Sequence, residues 1–447
     1  QPAFGGTPSD ASVVRALQDL KARGLVTVFY PFVMMDIPAG NGLPDPYGGA
    51  EQGAYPWRGR ITCFPAPGEP GTPDKTAGCG TQLANLIGTA QPTDFSVSGI
   101  SVTYTGPAEW SYRRMVLHYA KLCQAAGGVD VFLIGSELRG LTRLRSAAST
   151  FPFVDALVTL AAEVKAILPA TKVSYAADWS EYFGHQPPDG SGDVYFHLDP
   201  LWSSANVDFV GIDNYMPLTD WRDGVQHTDR LAYRSIYDPA YLASGVAGGE
   251  GFDWYYASDA ARNAQTRSAI TDGAYGKPWV FRYKDLKSWW LNPHYNRPGG
   301  IEAGTPTGWL PQSKPFWFTE AGCAALDKGT NQPNVFIDEK SSESFLPYFS
   351  SGRRDDFIQN RFVVALDQWW MQGSSANPIS SVYGGPMLDP EREFLWAWDA
   401  RPYPWFPALG DVWADGLNYG RGHWLNGRAG AVPFGELIAR VCEHYGF

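Results

Sequence analysis

The sequence is poor in the features that mark several common functional classes. Five cysteines (Cys63, Cys79, Cys123, Cys323, Cys442) occur in 447 residues, with no C-x-x-C. An odd count at that density excludes a disulfide scaffold. Cys63 and Cys79 flank one Gly/Pro-rich stretch and can pair under oxidising conditions; free thiols are the default expectation. The seven histidines (His118, His185, His197, His227, His294, His423, His444) form no H-x-H or H-E-x-x-H pair. That argues against a metal-dependent barrel hydrolase, so no metal and no cofactor is expected. A G-x-S-x-G elbow is absent. The glycine-rich runs lack the strand–G-x-G-x-x-G–helix setting of a nucleotide site. No apolar run reaches the length of a membrane span. The opening QPAFGGTPSDAS has no basic or apolar leader segment and does not read as a signal peptide. Lysine and arginine (35) are outnumbered by aspartate and glutamate (46), giving a net charge of −11 with no basic cluster. Nucleic acid and anionic membranes are therefore poor partners.

What the sequence does hold is a large core and many aromatics. Hydrophobic residues make up 44% and charged residues 18%, which excludes wholesale disorder. There are 18 Trp, 23 Tyr and 24 Phe. Many tryptophans stand among Gly, Pro and Asp, as loop residues do: Trp57, Trp110, Trp179, Trp221, Trp254, Trp289, Trp290 and Trp309. Such loops either present flat apolar faces to sugar rings or pack on themselves.

Periodicity gives an alternation of helices and apolar strands. A capped helix over 9–23 leads into a strand over Val26–Met35 that ends at Asp36. A Gly/Pro-rich excursion follows over 37–107, with a small hairpin at 95–105. The chain then reads as helix 108–126, strand 129–135, helix 152–167 and strands 171–177 and 207–213. A second excursion, 217–312, carries a helix near 259–271. Strand 315–319, helix 354–371, strand 392–398 and helix 433–446 complete the pattern. This is α/β organisation with a parallel sheet.

Acidic residues recur where strands end: Asp36, Glu137, Asp178, Asp213 and Glu320. A doubly wound sheet binds at one crevice, whereas a (β/α)8 barrel gathers strand ends around one face. Five acidic ends favour the TIM barrel. Only six strands are evident and the chain opens on a helix, so the first strands are expected upstream. The chain thus reads as one TIM-barrel-like domain over 1–447, a piece of a longer protein.

Two glutamates carry the chemistry best. Glu137 and Glu320 each follow a buried strand closely, so both would project into a barrel mouth. Glycoside hydrolysis needs two such carboxyl groups, about 5–5.5 Å apart for retention. The alternative is a pair of rim glutamates in salt bridges, for instance with Arg139. In Asp213-Asn214-Tyr215 the tyrosine either holds a carboxylate by hydrogen bonding or packs on the rim. Trp179, with Trp396 or Trp398, either floors a sugar subsite or caps the core. Cys323, close behind Glu320, reads as a small buried thiol.

The strand endings FLIGSELRG and FWFTEAGC resemble those of the retaining (β/α)8 glycoside hydrolases. The resemblance implies that Glu137 is the acid/base, after the fourth strand, and Glu320 the nucleophile, after the seventh. It implies that Tyr215 orients Glu320, and that Asp36, Ser136, Asp178, Trp179, Asp213 and Asn214 line subsites. Ser136 stands where that clan usually has Asn. The longer phrases FYPFVMMDIPAGNGLPDPYGGAEQ, KPWVFRYKDLKSWW and PQSKPFWFTEAGC resemble the barrel-like domain of gene transfer agent tail proteins, the hub or host-specificity proteins of phage-like particles. That resemblance implies a place at the tail tip of a released particle, beside other tail and baseplate proteins. It implies work on a cell-surface polysaccharide or peptidoglycan. The rival expectation is a catalytically inactive receptor-binding module or a structural hub wall on the same fold.

Overall fold

The computed structural model describes residues 8–396, apart from 339, 372 and 373. Trp398, the end of the expected strand 392–398 and the expected helix 433–446 lie outside the described residues. The fold is mixed α/β. The chain divides into two units, one made of Gln1–Ile212 with Asn292–Phe316, the other of Asp213–Leu291 with Trp317–Phe447.

The first unit opens on α1 (Asp10–Ala22), where Ser9 accepts the amide of Ser12 and Val13, Val14 and Leu17 turn inward. β1 is only Val28–Phe29. The expected strand Val26–Met35 is cut short because Pro31 supplies no N–H to a ladder. Asp36 is consequently not a strand end. It stands in exposed coil. The excursion 37–107 holds more structure than its composition suggests: α2 (Ala77–Ile87), capped by Thr76, and the hairpin β2 (Phe95–Ser98) and β3 (Ser101–Tyr104). Two glycines within α2 hide it from propensity. α3 (Tyr112–Ala125) then leads to β4 (Val131–Ser136), buried along its whole length. The short α4 (Arg139–Thr142) precedes α5 (Pro152–Ile167). Phe153, Val154, Leu157, Leu160, Ala161, Val164 and Ile167 form the buried stripe of α5. Each large member contributes roughly 1.5–3 kcal/mol. β5 (Lys172–Asp178) and α6 (Asp199–Trp202) follow, and β6 (Val210–Asn214) crosses from the first unit into the second.

β1 pairs with β4, and β4 with β5, both in parallel. Side chains fix the register. Asp130 Oδ2 accepts the amide of Thr27 at 2.7 Å, and Asp208 Oδ2 accepts that of Val173 at 2.6 Å.

The second unit contains α7 (Thr228–Ala232), α8 (Pro239–Val246), β7 (Trp254–Tyr255), α9 (Asp259–Asn263), β8 (Ser268–Ala269) and α10 (Leu286–Leu291). The helix expected near 259–271 stops at Asn263 because Gln265 turns left-handed (φ 52°), and the chain returns as the β7–β8 hairpin. β9 (Phe316–Ala321) starts in the first unit and is buried throughout; α11 (Asp356–Trp370) and β10 (Leu388–Leu395) follow. The six-stranded sheet has the order β1-β4-β5-β6-β9-β10. β10 tolerates Pro390 because it is the last strand of that order. Among the described residues no helix is long and apolar enough to cross a membrane. Of the loop tryptophans, Trp221, Trp289, Trp290 and Trp309 are buried, while Trp110 stands in solvent.

One close approach links the excursion to the end of β4. A Cβ built on Gly140, in α4, would lie 2.3 Å from the Ile61 carbonyl oxygen and 2.6 Å from that of Gly59. Backbone cannot yield there cheaply. Gly140→Ala is expected to destabilise the protein by about 1–3 kcal/mol, read from urea denaturation, by pushing the 58–61 turn off α4.

Candidate functional site

The first unit builds its site at the end of β4. The β4–β5 register shifts between Leu133 and Ser136, so β4 carries one residue more than its partner. A bulge of this kind re-aims the side chains that follow it. Glu137 then takes a left-handed backbone (φ 50°), while its amide still donates to the Ala176 carbonyl at 2.8 Å. A non-glycine residue in that region is strained and is held by its surroundings.

The Glu137 side chain is buried. Its Oε2 accepts the Trp57 indole N–H at 2.6 Å and lies 2.9 Å from Arg58 Nη2. Arg58 also donates to Ser136, through Nε to the carbonyl at 2.9 Å and through Nη2 to Oγ at 2.7 Å. Its guanidinium lies 3.8 Å from the centre of the Phe32 ring. The ion pair is one made by the charged carboxylate.

Behind this shell is a buried polar chain. The Leu138 amide donates to the Tyr175 hydroxyl at 2.6 Å, and that hydroxyl donates toward the Glu181 carboxylate, 3.2 and 3.3 Å from its oxygens. Thr142 donates to Glu181 Oε1, and the Asp178 amide to Oε2 at 3.2 Å. Burial raises the Glu181 carboxyl to about 7, against the pull of Thr142 and Arg143. Burial also lowers Arg143 to about 9. Asp178 is buried and accepts the Ser180 amide at 2.9 Å, closing the turn; Trp179 beside it is half-buried.

The second unit builds around the end of β9. The Tyr215 hydroxyl donates to Glu320 Oε2 at 2.6 Å. One residue earlier in β9, Thr319 donates to Asp213 Oδ1, also at 2.6 Å. Asp213, Asn214 and Glu320 are buried and Tyr215 is half-buried. Asn214 Oδ1 accepts the Met216 amide at 3.3 Å, which closes the turn after β6. The Trp396 amide donates to the Ala321 carbonyl at 2.9 Å, so this half-exposed tryptophan follows β10 alongside the end of β9. Cys323 is buried, and burial pushes its thiol up.

Of the residues singled out in the sequence, Ser136 and Glu137 thus share one shell. Asp213, Tyr215, Glu320 and the Trp396 backbone gather at the other. Asp36 joins neither in the contacts found. Trp57, Arg58, Glu181 and Thr319 were not singled out as site residues. Trp57 and Arg58 sit in a Gly/Pro-rich excursion with no local signal. Glu181 did carry one: D-W-S-E at a strand end has the spacing of a reciprocal cap.

The family model of the GTA TIM-barrel-like domain matches residues 110–407, about two thirds of the chain. No curated protein matches it significantly.

Glu181 gives the site a measurable pH signature. Its folded value, about 7, lies above the usual 4.5. The stability it contributes is fully present below about 4.5 and is lost as pH rises through about 7. The loss amounts to about 3 kcal/mol. Glu181→Gln keeps the outline but not the charge. It is expected to flatten this slope in urea denaturations at pH 4.5, 6 and 8.

Proposed function

Because the chain belongs to the GTA TIM-barrel-like domain family, we propose that its sheet is part of a closed (β/α)8 barrel and that it is a retaining glycoside hydrolase. The observation that supports this reading is a buried glutamate at the end of each of two strands, β4 and β9, with a donor fixed on one oxygen of each. Glu137 is the acid/base and Glu320 the nucleophile. In the first step Glu137 protonates the glycosidic oxygen while Glu320 attacks the anomeric carbon and the leaving-group bond breaks. In the second, Glu137 takes a proton from water, which displaces Glu320 from the sugar. Tyr215 holds Glu320 at the angle of attack. The substrate is a polysaccharide or peptidoglycan of a cell surface, and the place of action is the tail tip of a phage-like particle, among other tail and baseplate proteins.

A second reading has its own support. Trp57 and Arg58 already occupy Glu137 Oε2, as they would in a receptor-binding module that no longer turns over.

Release of reducing ends from purified envelope polysaccharides and peptidoglycan separates the two. Glu137→Gln and Glu320→Gln are each expected to lower release by about 10³-fold while leaving binding intact. Binding without release, unchanged in both variants, would leave the receptor module. A crystal structure should show the two carboxyl groups about 5–5.5 Å apart. Arg58→Met is expected to move the alkaline limb of kcat/KM upward by at least about one pH unit, because an opposite charge favours the ionised carboxylate. An unmoved limb would mean that Arg58 does not pair with Glu137 in the free enzyme.

A further inference from the structure

Trp110 is the most exposed of the large apolar side chains among the described residues, at 89%. It precedes α3, next to the β2–β3 hairpin. It is not a loose tip. The Arg114 guanidinium lies 4.3 Å from its ring centre and 4.0 Å from that of Tyr104, so the arginine backs both rings. Arg114 Nη1 also donates to the Glu109 carbonyl, and the Tyr104 hydroxyl to that of Pro107 at 2.9 Å. The Glu109 carboxylate accepts the amides of Thr89 and Ala90, each at 2.9 Å, and the hydroxyls of Thr89 at 2.8 Å and Ser111 at 2.7 Å. These bonds tie the segment carrying Trp110 to the loop after α2.

The indole is therefore held in advance, its exposed surface turned to water. Leaving that much apolar area wet has no packing benefit. The surroundings also bear on what would cover it. Thr89, Gln91 and Thr105 are exposed nearby in this segment. Their polar groups suit a pyranose ring, which lays one C–H face on an indole and turns its hydroxyls to water and polar neighbours. The position bears on this as well: Tyr112, the first residue of α3, donates to the Ile134 carbonyl of β4 at 2.5 Å, which ties the start of α3 to the strand that Glu137 follows.

We propose that Trp110 is a carbohydrate-stacking platform, a rim subsite for a pyranose unit of the glycan whose reactive bond lies at Glu137. This rests on the reading that the ligand is a glycan, but not on turnover.

The test is equilibrium binding of the full chain to peptidoglycan sacculi, to purified envelope polysaccharide and to hexa-N-acetylchitohexaose. Trp110→Ala and Trp110→Phe are compared with the wild type, each with an unchanged thermal melt. Trp110→Ala is expected to weaken binding about fivefold to tenfold, with Trp110→Phe largely restoring it. Equal binding by Trp110→Ala on every polymer that the wild type holds, or no binding of any probe by the wild type, overturns the platform. The Glu137→Gln and Glu320→Gln release assay reports separately. Loss of release in those variants beside unchanged binding by Trp110→Ala sinks only the platform. Weakened binding by Trp110→Ala with no release from any protein sinks only the hydrolase.

Discussion

A carboxylate buried at the end of an apolar strand has to be met by donors, because an unpaired buried charge costs several kcal/mol. Much of the first unit's loop structure follows from that requirement at Glu137. β4 is buried along its whole length. The donors come from Trp57 and Arg58, some eighty positions earlier in the chain. For them to arrive, the 58–61 turn must lie against α4, and the missing side chain of Gly140 is what lets it. Phe32, from the run before that excursion, then supports the guanidinium. The 37–107 excursion is thus a partner of the strand end and not an appendage to it.

The second unit meets the same requirement with neutral donors, Tyr215 to Glu320 and Thr319 to Asp213. Other charged groups of the unit pair with one another. Asp220 accepts Arg222, Arg267 and Tyr256, while Arg267 also reaches Asp229, which accepts Tyr241. Such a network adds little net stability against an apolar alternative, yet removing one member leaves a stranded charge. Lys284, fully buried, donates to the carbonyls of Gly245 at 2.8 Å and Gly248 at 3.0 Å, and burial lowers it to about 7. Polar groups placed this deep show that the excursion from 217 is packed and not loose coil.

The sequence made the buried parallel strands and their acidic ends readable, because apolar runs such as VDVFLIG leave few alternatives. Helices with a clear stripe, α1, α3, α5 and α11, were readable for the same reason. The run from Val26 misled because its apolar character continued past Pro31, and the backbone donor, not the side chains, decided the outcome. α2 escaped because A-G-C-G is poor helix material, and tertiary contacts override it. At the site, Glu137 and Glu320 could be named from their strands, and Tyr215 from its position after β6. Arg58 could not, since an arginine that pairs across eighty residues leaves no mark in its own neighbourhood.

Retention requires one carboxyl to carry a proton and the other to be charged. The Arg58 pair is made by a charged Glu137, so on the hydrolase reading the resting arrangement is not yet the reactive one. On that reading, protonating Glu137 weakens its pair with Arg58. Ser136 offsets that loss. Its carbonyl and hydroxyl hold the guanidinium independently of Glu137, at 2.9 and 2.7 Å, so Arg58 keeps two acceptors when it gives up the third. An asparagine there would offer Arg58 an amide oxygen on a longer arm in place of a hydroxyl held close to the backbone. On the hydrolase reading, the serine suits a glutamate whose charge is parked on an arginine until a sugar enters. Binding energy from the glycan would then be used to exchange that ion pair for a proton and a substrate oxygen, which is where an enzyme gains most from it.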